Sequence, residues 1–72
     1  MIPVQSSNIK EIGFDAVKQR LFLTMKNSKT VYVYANFLES MFNAFLESES
    51  KGKFFLNEIK GKFSYEKFPT EK

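Results

Sequence analysis

The sequence predicts an α+β fold: a three-stranded antiparallel β-meander followed by two C-terminal helices packed on one face. Two observations carry that prediction. Over Arg20–Met25 and Val31–Tyr34 the residues alternate with the period of a strand, and from Leu38 the apolar residues recur at helical spacing. Polar clusters suited to turns separate the early runs: Ser6-Ser7-Asn8, Asp15 and Lys26-Asn27-Ser28-Lys29.

The first strand is expected over Ile9–Phe14, the second over Arg20–Met25, and the third over Val31–Tyr34. Asn27-Ser28 suits a two-residue hairpin turn, because Asn tolerates left-handed backbone. That turn sets Leu23 opposite Tyr32 and Leu21 opposite Tyr34, and across the preceding loop Phe14 beside Leu21 and Ile12 beside Leu23. One face is then strongly apolar. The other carries Glu11, Gly13, Phe22, Thr24, Val31 and Val33, and a one-residue slip would exchange the two.

Asn36 followed by Glu39 reads as a helix N-cap with its capping-box partner. Leu38, Met41, Phe42 and Phe45 form the apolar stripe of a helix running to about Ser48. Ser50 caps a second, shorter helix that buries Phe54 or Phe55 together with Ile59, and Gly61 ends it. The remainder is extended, so the single domain, residues 1–72, has an ordered core over about 6–65 and a tail over 66–72.

A chain of 72 residues buries only about 60% of its unfolded surface, and without cysteine it has no disulfide to help. Nine Phe and three Tyr take on that work, each ring removing roughly 150–250 Å² from water. No apolar run approaches the ~20 residues of a membrane span, and Met1-Ile2-Pro3-Val4-Gln5 does not resemble a signal peptide. A cytoplasmic protein with no membrane association is the expectation.

Charge is unevenly placed. Residues 1–49 carry five bases and five acids, whereas residues 50–72 carry six lysines against Glu58, Glu66 and Glu71 and hold the whole net charge of +3. Within that stretch Lys-Gly-Lys-Phe occurs twice, at Lys51–Phe54 and at Lys60–Phe63. Glycine lets backbone N–H groups approach an anion, so Lys51, Gly52, Lys53, Lys60 and Lys62 are candidate phosphate contacts. Phe54 or Tyr65 could stack a base. The plainer account gives the glycines to turns, the phenylalanines to the core and the lysines to solubility. The first copy opens a helix, where anions are favoured, and the second closes one, so a phosphate belongs at Lys51–Lys53 first.

Taken in order, Ser6-Ser7-Asn8-Ile9, Ile12-Gly13-Phe14-Asp15, Tyr32-Val33-Tyr34, Ser50-Lys51-Gly52-Lys53-Phe54-Phe55 and Ile59-Lys60-Gly61-Lys62-Phe63 resemble the KTSC domain over residues 6 to 65. This small family is named for its place at the C-terminus of some lysyl-tRNA synthetases, and it also occurs as a stand-alone protein in bacteria and their phages. Through that fusion the resemblance implies RNA binding. The chain departs from the family pattern where Ser28 replaces a turn glycine, Phe14 and Phe63 replace frequent tyrosines, and Phe37-Leu38 replaces a common Val-Pro.

Tyr32 and Tyr34 invite comparison with sheet-based RNA platforms, but the register sends both to the face that the helices cover. Phe22, Val31 and Val33 on the opposite face form a candidate partner interface, covered by the C-terminal segment or by a second copy in a homodimer. Ser6, Ser7, Asn8 and Asp15 are assigned to turns. With no His or Cys, the usual acid/base group and the thiol nucleophile are missing, and no motif calls for a cofactor or metal. The expected function is a non-enzymatic module binding RNA or another polyanion through the basic C-terminal third. The alternatives are a protein–protein interaction module using the outer sheet face, and a binder of a small nucleotide ligand beside Ser50–Lys53.

Overall fold

In a computed structural model describing residues 1–69, five strands form one antiparallel sheet in which each strand pairs with the next. The elements are β1 (Ile2–Pro3), β2 (Ile9–Asp15), β3 (Arg20–Met25), β4 (Thr30–Tyr34), α1 (Glu39–Glu47), α2 (Lys51–Phe54) and β5 (Tyr65–Pro69). A π-helical turn, Phe55–Ile59, continues α2 without a break. The expected fold class stands, but its sheet has five strands instead of three.

The central meander has the expected register. Leu21 pairs with Tyr34, Leu23 with Tyr32, Phe14 with Leu21 and Ile12 with Leu23. Asn27 adopts the left-handed conformation (φ 63°) expected of it, and Thr30 N donates to Ser28 Oγ at 3.3 Å to hold the turn. At the other end Asp15 Oδ1 accepts from the N–H groups of Val17 and Lys18, and Ser6 Oγ accepts from Asn8 and Ile9. These polar groups tie turns, as expected.

Both added strands lie at the edges. β1 is too short for its two residues to show a period, and it pairs Ile2 with Ile12 and Pro3 with Glu11. β5 pairs Val33 with Glu66 and Tyr34 with Tyr65, so Glu66–Pro69 are sheet rather than tail, and residues 70–72 of that expected tail lie outside the described residues. Its polar alternation and its proline hid it, both being features of edge strands.

The first helix begins later than its capping signal implied. Leu38 occupies the N-cap position without a side-chain bond, and Asn36 is left-handed instead (φ 58°). Tertiary packing accounts for the difference: Phe37 is fully buried, and its N–H donates to Gln19 O at 2.8 Å. That anchor keeps the chain extended until the ring is seated. The end of α1 at Ser48 is as expected, closed by Ser48 Oγ donating to Phe45 O at 2.7 Å.

α1, α2 and the π-turn cover the face that carries Ile9, Ile12, Leu21, Leu23 and Tyr34, burying Phe42, Phe45, Phe55 and Ile59 against it. Phe37 sits between Phe14 (6.5 Å between ring centroids) and Phe63 (5.0 Å), and Phe14 stacks on Phe42 at 5.1 Å. The three aromatic departures from the family pattern therefore meet in one cluster.

Candidate functional site

The two Lys-Gly-Lys-Phe segments fold differently. In the first, Ser50 Oγ accepts from Lys53 N at 3.3 Å and so caps α2 as its sequence implied. Lys51 Nζ donates to Ser48 O at 2.6 Å, so it closes α1 and does not stand free. Phe54 lies flat on Phe45, with 5.0 Å between centroids and 17° between planes. Lys53 is exposed. The α-helical part is a single turn, four residues long, so little dipole gathers at its start.

The second copy follows the π-turn, where Lys60 N donates to Phe55 O at 2.8 Å. Gly61 takes the left-handed backbone (φ 79°) that ends the helix, and Lys62 N donates to Ile59 O at 3.0 Å. Lys60 and Lys62 are exposed, while Phe63 turns inward onto Phe37. Gly61 thus serves the backbone, Gly52 is an ordinary helical residue, and both phenylalanines pack.

Tyr65 is an exposed ring on the helix-bearing face, 49% accessible. β5 sets it beside Tyr34 (5.1 Å) and Tyr32 (5.9 Å), and Lys67 Nζ lies 6.0 Å from the centre of the Tyr32 ring. Tyr32 and Tyr34 occupy the helix-bearing face, as expected, but Tyr32 is half-buried and only Tyr34 is buried there. Burial, then the neighbouring phenols of Tyr65 and Tyr32, push its pKa up to about 12. Lys67, and the meeting of Tyr65 with Tyr32 and Tyr34, went unnoticed in the sequence because β5 did; the aromatics Tyr65 and Phe68 in a segment already expected to be extended are the signal that could have found them.

Two recesses open on this side. One, of about 350 Å³, lies between Asn8, Met25, Asn27, Phe55 and Leu56, and the other, of about 240 Å³, lies among the three tyrosines and Lys67. Met25, Phe55 and Lys60 line both, and no carboxylate lines either.

On the opposite face Val33 is buried, Phe22 and Val31 are half-buried, and the guanidinium of Arg20 sits 5.8 Å above the Phe22 ring. Among the described residues the C-terminal segment does not cover this face. It widens it, since Phe68 pairs with Val31 and is 48% exposed. Met1 reaches the other end, its Cγ 3.1 Å from where a Cβ on Gly13 would lie. Among the described residues no group of His, Cys, Asp or Glu could hold a metal, and no helix is long and apolar enough to cross a membrane.

The family model for the KTSC domain matches residues 5–63. The chain is similar to the crystal structure of a KTSC domain protein from Yersinia pestis, with 36% identity and a TM-score of 0.87, covering 92% of each chain. No curated protein matches the sequence.

Proposed function

The chain belongs to the KTSC domain family, and we propose that it is a non-enzymatic module that binds RNA, or another polyanion, through its basic C-terminal third. The observation that carries this is the surroundings of Tyr65. A half-exposed ring suited to base stacking stands on a segment whose lysines Lys53, Lys60, Lys62 and Lys67 all reach solvent. The lysyl-tRNA synthetase fusion that the resemblance implies makes tRNA the first RNA to test, in the cytoplasm of a bacterial cell.

Backbone contacts by four lysines give salt-sensitive, sequence-tolerant binding, with a log–log salt slope of about −3 on a single strand. Fluorescence anisotropy against tRNA and unstructured RNA at two salt concentrations tests this. Lack of binding at low salt, or affinity unchanged by charge reversal at Lys53, Lys60 and Lys62, overturns it.

A second reading, a protein-interaction surface or homodimer, is favoured by the apolar stripe of Phe22, Val31, Val33 and Phe68 on the uncovered face. Phe22→Glu should then abolish self-association or partner capture with the fold intact; identical sedimentation and capture by the variant and the native chain would remove this reading.

A further inference from the structure

The two recesses beside Lys60 are lobes of one groove, and we propose that it binds a single nucleotide unit, the base over Met25 and Leu56 and the phosphate between Lys60 and Lys67. This rests on the anion-binding reading above, and it moves the centre of that reading from the first Lys-Gly-Lys-Phe to the second. Continuity is the first ground: Met25, Phe55 and Lys60 are common to both lobes. The lobes measure about 350 and 240 Å³, together within the range of small-molecule sites.

Charge is the second ground. Lys26, Lys60 and Lys67 line the groove without a single Asp or Glu, so its field has one sign in a chain with eight acidic residues.

The lobes also differ in chemistry in the way the two halves of a nucleotide do. The larger has an apolar floor of Ile9, Met25, Phe55 and Leu56, with Asn8 and Asn27 at its rim. A carboxamide offers both a donor and an acceptor, which suits a base edge. The smaller brings together Tyr32, Tyr34 and Tyr65, whose hydroxyls can donate to phosphate oxygens alongside two ammonium groups. Tyr34 keeps its proton well into alkaline pH, so it remains a donor.

Two of the rival groups are already committed. Lys51 is bonded to Ser48 O and Phe54 is stacked on Phe45. The π-turn that supplies Phe55 and leads into Lys60 is of a kind often found at functional sites. Free mononucleotide and a nucleotide within an RNA strand share this chemistry.

The experiment is a ¹H–¹⁵N NMR titration of the full chain with adenosine 5′-monophosphate, adenosine, inorganic phosphate and a short oligoadenylate. AMP should shift the amides of Met25, Asn27, Leu56, Lys60 and Tyr65, binding about tenfold more tightly than adenosine or phosphate alone. The double variant Lys60→Glu, Lys67→Glu, at exposed positions, should weaken AMP at least tenfold, and Lys53→Glu should not. Absence of AMP shifts at millimolar concentration, or shifts confined to Lys51–Lys53, overturns the groove even where the oligonucleotide binds, and the RNA reading then stands alone. AMP in the groove with no oligonucleotide binding at low salt supports the groove with free nucleotide as its source and ends the RNA reading. Loss of oligonucleotide binding in the double variant supports the strand as the source.

Discussion

Lys51 Nζ donates to Ser48 O at 2.6 Å, so the first lysine of the first Lys-Gly-Lys-Phe holds the end of the preceding helix. A cation there meets the unpaired carbonyls and the negative end of the α1 dipole. Lys51→Ala should therefore lower stability by about 0.5–1 kcal/mol in urea melts. Its effect on RNA affinity should be smaller than that of Lys60→Ala, measured by anisotropy at the same salt.

The two repeat glycines should respond in opposite directions to alanine. Gly52 is helical, and a Cβ there would meet only Ser6 Oγ at 3.7 Å, an ordinary contact. Gly52→Ala should be neutral or stabilising by up to about 1 kcal/mol. Gly61 has φ 79° with open space around it, so Gly61→Ala should lose about 1–2 kcal/mol through backbone strain alone. Paired chemical denaturation curves decide both.

Phe37 is fully buried between Phe14 and Phe63. Phe37→Ala should cost about 3–5 kcal/mol, comparable to the whole stability of a domain this small, and circular dichroism should find it largely unfolded. A double-mutant cycle of Phe37→Leu with Phe63→Leu should show non-additive losses, since the rings touch.

Tyr34 makes stability sensitive to alkali. Its phenol is raised from 10.0 to about 12 in the fold, so the folded chain holds that proton more tightly than the unfolded one. The contribution is complete below pH 10 and disappears as pH rises towards 12, at most about 2–3 kcal/mol. Tyr34→Phe has no proton to lose there. Across that window the native chain should lose stability faster than the variant, as read by urea midpoints at successive pH values.

The meander was legible because its signals agree. Leu21, Leu23, Tyr32 and Tyr34 alternate, and Asn27 marks the turn that sets their pairing. The end of α1 at Ser48, the cap at Ser50 and the stop at Gly61 were legible for the same reason: each residue does locally what its type favours. The start of α1 was not, because Phe37 is placed by Gln19, eighteen positions earlier in the chain. β5 was illegible because its partner β4 is separated from it by two helices and its own sequence is charged. With it went Lys67 and the meeting of Tyr65 with Tyr32 and Tyr34, although each of those tyrosines was singled out on its own.

Each outermost strand of the sheet contains a proline, Pro3 in β1 and Pro69 in β5. A residue without an N–H interrupts the row of donors that a further strand would need, and β1 is only two residues long. Both features oppose growth of the sheet along its hydrogen-bonding direction, and so oppose fibrillar stacking of a phenylalanine-rich chain. Face-to-face association meets no such obstacle.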